Sequence, residues 1–500
     1  MQPEGQTTLG TIRGVDRGGH AAFLGVPFAQ PPSGARRWLA PAPLDPWTGA
    51  IDTAAPGDAA PQDPFVPPRF RAQGPESEDC LYLNVWTPAT DGARRPVLFW
   101  IHGGGFSHGW GAQPHYDGGP LAERGDVVVV SPNYRLGALG YLYLGQHGGD
   151  RWGAATNAGQ LDQIAALAWV HDNIERFGGD PDNVTIFGQS AGGVAVCTLL
   201  AMPAARPLFA KAIAQSGTAN RLGDTDRAAA TATAFLDRLG IPEGDHDALV
   251  AADVSDMLQA QGARGALAPV VDGDTLPERP LAAVRDGELR DIPMIIGTAR
   301  DEQKLYVTAD RPEITRAELE RQIAQTLPRG TGDRAAEVVD VYLASRAARG
   351  LPHTLHDVSD AVATASRFRM PALRLAEAQR AHQPATFVYQ FDWESPARGG
   401  TLGACHGLEI PFVFGTTGTT GDDRMSGSGP DADRLSEQMM GAWTAFARTG
   451  DPSHDGIGRW PAYETDERQT MVFGRDTAAQ TAPFEEERAV WESLLTSRTG

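Results

Sequence analysis

The chain has 500 residues, a formal net charge of −20, and 41% hydrophobic and 21% charged residues. This composition is ordinary for a folded globular protein, and its acidic balance argues against nucleic acid or an anionic membrane surface as a partner. Three cysteines do not form a disulfide framework and lack the spacing of metal ligands. Since the sequence shows no signal peptide and no apolar run near ~18 residues, we expect a cytoplasmic protein without membrane spans, unless a leader has been removed.

Short apolar runs alternate with helical patterns along most of the chain. The apolar runs predict buried strands at 96–101, 127–130, 184–187, 212–214, 293–296 and 386–389. Between two of these runs, apolar residues recur at three- and four-residue steps from Leu161 to Ile174, which predicts a helix against the sheet. The alternation indicates an α/β fold with a central, mostly parallel sheet flanked by helices. The active site of such a fold lies at the carboxyl ends of its strands.

No linker divides the chain, and we predict one domain over residues 1–500. The stretches of about 221–262 and 311–382 have helical patterns and are interpreted as excursions that cap the active-site end of the sheet. The Gly-, Thr- and Ser-rich segment 415–430 is interpreted as a surface loop. Nothing in the sequence demands an oligomer, and we expect a monomer.

One segment has the pattern of an activated serine. Phe187-Gly-Gln-Ser-Ala-Gly-Gly lies between a strand-like run and a buried helical pattern, which predicts a tight strand-to-helix turn at Ser190. Glycine neighbours allow close packing of strand and helix, and the turn exposes the serine oxygen near a helix N-terminus. The pattern also occurs by chance in glycine-rich turns without chemistry, so the partners of the serine have to decide.

Candidate oxyanion donors follow another predicted strand. His102-Gly-Gly-Gly-Phe comes directly after strand 96–101 and exposes successive backbone N–H groups. The amides of Gly104, Gly105 and Ala191 are therefore candidates for an oxyanion hole, although the run also fits a flexible turn. The spacing of the nearby histidines fits no metal-ligand set, and no metal site is predicted.

A base and an acid are found further along. His406, in the loop after the strand near 386–392, is the candidate base. The strand at 294–298 ends close to Asp301 and Glu302, and the order serine, acid, histidine suits either of them. Spacing alone does not choose between the two carboxylates.

An ordered series of segments resembles the type-B carboxylesterases, the family that contains the para-nitrobenzyl esterases and the cholinesterases. The segments run nearly from end to end, so the series is far more specific than one motif. They include Phe23-Leu-Gly-Val-Pro-Phe-Ala, Ser77-Glu-Asp-Cys-Leu-Tyr-Leu-Asn-Val-Trp, His102-Gly-Gly-Gly-Phe, Asn133-Tyr-Arg-Leu-Gly, Phe187-Gly-Gln-Ser-Ala-Gly-Gly, Gln215-Ser-Gly, Pro269-Val-Val-Asp-Gly, Arg300-Asp-Glu, 403–415 and Phe446-Ala-Arg-Thr-Gly-Asp-Pro.

The resemblance implies an α/β-hydrolase fold, and it assigns the acid to Glu302 rather than Asp301. It implies no metal and no cofactor. The remaining roles that it implies are Ser190 as nucleophile, His406 as general base and then acid, Gly104, Gly105 and Ala191 as oxyanion hole, and Ser216 as a supporting residue near the acid.

Other matches and departures carry further expectations. The pairs Arg37 with Glu78 and Arg135 with Asp162 resemble internal ion pairs of the family. Gln303 stands where the family has a glycine after the acid. Residues 60–77 contain no tryptophan, whereas the animal cholinesterases place one there against choline, so a dedicated cationic substrate is not expected.

The resemblance thus implies a serine carboxylesterase that hydrolyses short- to medium-chain or aromatic esters, small molecules, through an acyl-serine intermediate. One alternative is a hydrolase that acts mainly on amides, carbamates or aromatic diesters, because the same triad tolerates those leaving groups. A second alternative is a non-catalytic, cholinesterase-like binding protein. Members of that class usually lack the serine or its partners, all of which this sequence contains.

Overall fold

A large twisted sheet forms the centre of the molecule. The structure is a computed structural model that describes residues 2–67, 70–147, 152, 156–218, 222–262, 266–308, 310–418 and 423–496. The strands are β1 (Glu4–Gln6), β2 (Thr11–Arg13), β3 (Val15–Asp16), β4 (Ala21–Pro27), β5 (Ala50–Asp52), β6 (Tyr82–Thr87), β7 (Arg95–Ile101), β8 (Val128–Pro132), β9 (Gly179–Gln189), β10 (Lys211–Gln215), β11 (Gly223–Asp224), β12 (Val270–Val271), β13 (Met294–Ala299), β14 (Thr386–Phe391), β15 (Gln469–Phe473) and β16 (Ala478–Thr481).

The α-helices lie on both faces and at one end of this sheet. They are α1 (Gly119–Gly125), α2 (Gly137–Tyr141), α3 (Ala158–Asn173), α4 (Ala191–Leu200), α5 (Thr225–Leu239), α6 (His246–Ala251), α7 (Val254–Ala260), α8 (Pro280–Arg285), α9 (Arg316–Thr326), α10 (Ala335–Ala348), α11 (Leu355–Thr364), α12 (Met370–Arg380), α13 (Ile410–Phe414), α14 (Asp423–Ser426), α15 (Pro430–Thr449) and α16 (Glu485–Thr496). Within the described ranges, none of the helices combines the length and apolar character that crossing a bilayer requires.

The central sheet has 11 strands in the order β16-β15-β14-β13-β10-β9-β7-β8-β6-β4-β3. The strands from β15 to β8 in this order are parallel to one another, and antiparallel pairs close the sheet at both edges. The predicted α/β fold and all six predicted strands are confirmed. The predicted helix over 161–174 corresponds to α3.

Side chains on successive strand residues enter two different apolar clusters. On β7, Val97, Phe99 and Ile101 pack with helices α3 and α4, whereas Leu98 and Trp100 pack with α15 on the other face. These residues are 0% exposed. Since both faces are covered, the strands consist of near-continuous apolar runs rather than alternating ones, and this is why the sequence pattern identified them.

Two helical groups lie outside these clusters. Helices α5 to α7 form a third cluster with Trp38, Leu139 and Trp152, and helices α9 to α11 form a fourth with the C-terminal helix α16. These groups occupy the stretches predicted as caps. The segment 415–430, predicted as a loop, contains the short helix α14, and its residues 419–422 lie outside the described residues.

Two ion pairs fix loop residues, one of them partly buried and the other fully buried. Arg37 donates to both carboxylate oxygens of Glu78, at 2.6 and 2.7 Å. Arg135 donates through Nε and Nη2 to Asp162, at 2.8 and 2.6 Å, and its backbone N–H donates to the same carboxylate. The side chains of Arg135 and Asp162 are 2% and 0% exposed.

The Asp162→Asn substitution is expected to lower the free energy of unfolding by about 3–5 kcal/mol, because it leaves the buried guanidinium of Arg135 without a counter-charge. Glu464→Gln, which breaks the half-exposed pair of Glu464 with Arg380, is the matched control and is expected to cost at most about 1 kcal/mol. Urea denaturation of the three proteins measures both values. Equal costs in the two variants would contradict the structural weight given to the Arg135–Asp162 pair.

Candidate active site

Ser190 lies at a strained turn between β9 and α4. Its backbone has φ 58° and ψ −121°, a conformation that residues with a side chain rarely adopt. Its N–H donates to the carbonyl of Gln215 and its carbonyl accepts from Val194, both at 2.9 Å. A Cβ at Gly192 would lie 2.0 Å from the carbonyl oxygen of Ile101, so only glycine lets α4 approach β7 this closely.

The glycine run after β7 lies against this turn. A Cβ at Gly103 would stand 2.7 Å from the carbonyl oxygen of Gln189 and 3.2 Å from Cβ of Ser190. Gly104 and Gly105 have positive φ angles of 111° and 61°, which favour glycine. A Cβ at Gly104 would also lie 1.9 Å from the carbonyl oxygen of His108.

The described residues offer no competing acceptor to the amides of Gly104 and Gly105. Within the described part of the chain, the amides of Gly104 and Gly105 take part in no hydrogen bond as donors. Ala191 is the first residue of α4, where a backbone N–H has no intrahelical acceptor. The three amides are therefore free to bind an oxygen that develops negative charge near Ser190.

Glu302 and His406 meet behind the serine. His406 Nδ1 and Glu302 Oε2 are 2.5 Å apart, and Glu302 Oε1 accepts a hydrogen bond from the backbone N–H of Ala299 at 2.8 Å. Glu302 is fully buried, and His406 is 6% exposed. With both oxygens bound, the carboxylate holds the imidazole in one orientation, with the proton on Nδ1.

The other imidazole nitrogen contacts Gln189 in this structure. Gln189 Nε2 lies 3.2 Å from His406 Nε2, an arrangement in which the amide donates and the neutral imidazole accepts. Among the hydrogen bonds of the described residues, none joins His406 to the Ser190 hydroxyl. The structure thus brings Glu302 and His406 into contact and leaves Ser190 beside them. Gln189 was not singled out from the sequence although it lies within the serine motif.

Asp301, the alternative carboxylate, faces away from the histidine. It lies 2.9 Å from Arg300, 3.7 Å from Lys304 and 3.8 Å from Arg346, and it accepts from the backbone N–H of Ala404 at 3.2 Å. Burial alone raises the pKa of this carboxyl, but the three cations outweigh burial and hold the pKa below its usual value. Asp301 thus remains ionised and connects the segment of Glu302 to the loop that leads to His406.

Other titratable side chains near the site are held in their uncharged forms by burial. Burial lowers the pKa of His102 and of His115 to about 4. His102 stacks on Tyr134, with ring centroids 4.4 Å apart. Burial and nearby carboxylates raise the pKa of the Cys405 thiol to about 12, which removes thiolate character. No group of three or more His, Cys, Asp or Glu side chains in the described ranges is arranged to hold a metal ion.

Ser216 contacts a buried carboxyl that the sequence analysis missed. Its Oγ donates to Glu409 Oε1 at 3.5 Å, and Glu409 itself is fully buried. Burial, and then the nearby charge of Glu302, raises the pKa of Glu409 to about 7. Glu409 lies three residues after His406 in the sequence, and this short spacing is the signal from which its place near the site could have been predicted. The predicted supporting serine therefore contacts a second buried acid, which lies near Glu302 and His406.

A cavity of about 270 Å³ lies beside the oxyanion loop. It contains none of the candidate catalytic residues, and its inner wall, Tyr141, packs on Phe106 with ring centroids 4.8 Å apart. Part of its outer wall comes from α5, through Arg227, Ala228 and Thr231. The predicted capping stretch at 221–262 thus contributes to the lining of this cavity.

The fold and this arrangement agree with known proteins. Residues 1–491 match the carboxylesterase family, and the chain belongs to that family. It is similar to a para-nitrobenzyl esterase of Bacillus subtilis (strain 168), with 38% identity over 96% of this chain and 97% of that protein. A phenmedipham hydrolase of Pseudarthrobacter oxydans is 36% identical, over 96% of this chain and 97% of its own.

Solved structures give the same result. A para-nitrobenzyl esterase structure superposes with a TM-score of 0.85 at 36% identity, covering 98% of this chain and 100% of the other. A carboxylesterase of Geobacillus stearothermophilus superposes with a TM-score of 0.84 at 37% identity, covering 98% and 99%. The protein has the α/β-hydrolase fold and is a carboxylic ester hydrolase of the serine esterase type.

The raised pKa of Glu409 predicts a specific dependence of stability on pH. Between about pH 4.5 and about pH 7, the folded chain retains a proton that the unfolded carboxyl, with an ordinary pKa of 4.5, has already lost. The free energy of unfolding therefore falls as the pH rises from about 4.5 to about 7, by up to about 3 kcal/mol from this group. Glu409→Gln removes this contribution.

We therefore expect the stability difference between Glu409→Gln and the unchanged protein to shift in favour of the variant by up to about 3 kcal/mol between pH 4.5 and 7.5. Urea denaturation at several pH values measures the difference, and any constant cost of the substitution cancels in it. A difference that does not vary with pH contradicts the assignment of a neutral Glu409.

Proposed function

We propose that Ser190, His406 and Glu302 hydrolyse small carboxylic esters by acyl transfer. The observation that carries this proposal is the 2.5 Å contact of Glu302 with His406 Nδ1, which leaves Nε2, the nitrogen that contacts Gln189 next to Ser190, as the basic nitrogen. Asp301, held by three cations, is available only as a structural anion.

In the first half of the reaction, Ser190 Oγ attacks the ester carbonyl carbon while its proton passes to His406 Nε2. The carbon–oxygen bond to the alcohol then breaks, and the proton is transferred from the imidazolium to the leaving oxygen. In the second half, water gives a proton to His406 and attacks the acyl-serine, so that the acid is released and Ser190 regains its hydrogen. Glu302 stabilises the imidazolium and remains ionised throughout.

The amides of Gly104, Gly105 and Ala191 are proposed to bind the carbonyl oxygen when it becomes an oxyanion. The close packing and positive φ angles of the glycine run support this role, because the backbone is fixed before substrate arrives and requires no reorganisation during the reaction. Proton transfer also requires the Ser190 hydroxyl at His406 Nε2, where the Gln189 amide is hydrogen-bonded in this structure. A catalytic hydrogen bond such as that from the Ser190 hydroxyl to His406 often forms fully only when substrate binds.

The proposed substrates are short- to medium-chain or aromatic esters. The relatives carry names as different as para-nitrobenzyl esterase, phenmedipham hydrolase and cocaine esterase, so membership of the family does not fix the substrate. Two aromatic rings lie beside His406, those of Phe368 and Tyr306, and they favour substrates with apolar groups. Amides, carbamates and aromatic diesters remain the alternative substrates. We further propose a single domain with helical caps, acting as a cytoplasmic monomer.

Ser190→Ala is expected to reduce kcat/KM for para-nitrophenyl butyrate at least ~10³-fold, because the acyl-enzyme cannot form without the serine hydroxyl. Hydrolysis of the acetate, butyrate, octanoate and dodecanoate esters by the unchanged protein measures the acyl preference in the same assay. Circular dichroism controls for folding of the variant. A folded unchanged protein without activity would revive the binding-protein alternative, and an active variant would show that Ser190 is not the nucleophile.

Glu302→Gln and Asp301→Asn provide a matched pair at neighbouring positions. Glu302→Gln is expected to reduce kcat by about 10³–10⁴-fold, because a neutral amide no longer holds the catalytic tautomer or stabilises the imidazolium. In Asp301→Asn we expect a loss of stability, with a reduction of kcat below about 10-fold in the folded fraction. Steady-state kinetics with denaturation curves measure both. The reverse order of the two kcat values would assign the acid to Asp301.

A further inference from the structure

A short π-helical turn presents an aromatic side chain to the catalytic histidine. Residues Ala365–Arg369 form this turn between α11 and α12. Its Phe368 is 9% exposed, and the ring lies 5.0 Å from the His406 imidazole, centroid to centroid, at an interplanar angle of 45°. Such π-helical turns are often found at functional sites, because they shift the direction of side chains relative to the neighbouring helical turns.

The same turn is bonded to the residue that departs from the family pattern. Arg367 Nη1 donates to Gln303 Oε1 at 3.1 Å, and the backbone N–H of Gln303 donates to Thr364 Oγ1 at 3.1 Å. A glycine at position 303 has no side chain with which to accept from Arg367. Gln303 therefore links the segment of the acid Glu302 to the π turn by a contact that the glycine of the family pattern cannot make.

The next residue fixes the turn from the opposite side. Arg369 is buried, forms an ion pair with Glu487, and lies over the ring of Phe484 at 4.9 Å from its centroid. Three successive residues thus have three different partners: Gln303, His406 and Glu487. The position of the Phe368 ring is determined by bonds made by its neighbours on both sides.

We propose that Phe368 is a specificity-determining residue that selects esters with a planar aromatic alcohol group, and that the Gln303–Arg367 hydrogen bond positions it. This inference rests on the proposed function, in which His406 Nε2 donates a proton to the leaving alcohol oxygen. The alcohol group therefore begins at the imidazole, within reach of the ring packed against it.

The size of the effect follows from aromatic pairing. Aromatic rings with centroids 4.5–7 Å apart gain an interaction, beyond the apolar area they bury, that corresponds to about 2- to 13-fold in a rate or binding constant. An aliphatic ring of the same size gains only the free energy of burying its apolar area. The discrimination between the two kinds of ring is therefore the observable that reports on Phe368.

The test compares kcat/KM for benzyl butyrate and cyclohexylmethyl butyrate, which share an acyl group and differ in the alcohol ring. Because kcat/KM covers the steps up to release of the alcohol, deacylation does not mask the difference. Phe368→Leu is expected to reduce the benzyl-to-cyclohexylmethyl ratio by about 3- to 10-fold, and Phe368→Tyr to retain it. The acyl-chain preference at a fixed alcohol is expected to stay unchanged.

Phe484→Leu is the matched control, since it removes a ring from the far side of the same turn without touching His406. It is expected to lower stability and to leave the ratio as it was. A Phe368→Leu variant that loses activity equally on both esters, or keeps the ratio, overturns the inference. If the unchanged protein hydrolyses neither these esters nor the para-nitrophenyl esters, the proposed function fails instead.

The positioning pair is tested by the same ratio. Gln303→Gly, Arg367→Ala and the double variant are each expected to reduce it about 2- to 4-fold, with no further loss in the double variant, because both changes break one bond. Arg367→Lys, which keeps a donor, is expected to recover part of the ratio. Losses that multiply in the double variant, or an unaltered ratio in all of them, overturn the role of the pair while leaving that of Phe368 to its own test.

Discussion

The close approach of α4 to the ends of β7 and β9 is the constraint on which the site depends. It exists because Gly188 and Gly192 face each other and the carbonyl of Ile101 with no side chain between them. At that separation the oxyanion loop, which continues β7, and Ser190, which ends β9, form one rigid unit. The strain at Ser190 is maintained by hydrogen bonds of its backbone to Gln215 and Val194. The proposed nucleophile and the proposed oxyanion donors are thus positioned by backbone packing and backbone hydrogen bonds.

Three buried acids near the histidine have different partners and different roles. Asp301 pairs with cations that hold its pKa below the usual value, Glu302 is bonded to the imidazole and a backbone amide, and burial and the charge of Glu302 raise the pKa of Glu409 to about 7. All three side chains are buried, and they differ in the groups that surround them. One anion at the imidazole stabilises its charged form, whereas a second would also raise the cost of folding the site.

The sequence was sufficient for features that depend on local pattern or chain order. The strands could be predicted because both faces of the sheet are covered, and their order placed the serine, acid and histidine regions at strand ends. Asp301 and Glu302 could not be separated by spacing, since they follow the same strand and differ only in partners such as Arg346 and His406, which come from distant elements. The resemblance, not the spacing, favoured Glu302.

Contacts between distant segments also explain what was missed. Gln189 faces His406 across more than two hundred residues of chain, and the π turn that carries Phe368 has no simple signature in the surrounding helical pattern. Glu409 could not be recognised from the sequence, because its raised pKa results from burial in the packed interior. The helix α14 within 415–430 was hidden by glycine, threonine and serine, whose local preference is for turns.

The C-terminal helix α16 has a consequence for how the enzyme is made. Glu487 pairs with Arg369 and accepts from Ser345, and Trp491 donates to the hydroxyl of Tyr342, so this helix holds α10 and the π turn against the rest of the molecule. A ribosome synthesises these anchoring residues nearly three hundred positions after Ser190. The strand-to-helix turn of the serine is therefore available for folding early in translation, whereas the wall beside His406 is completed only when the last turns of the chain have emerged.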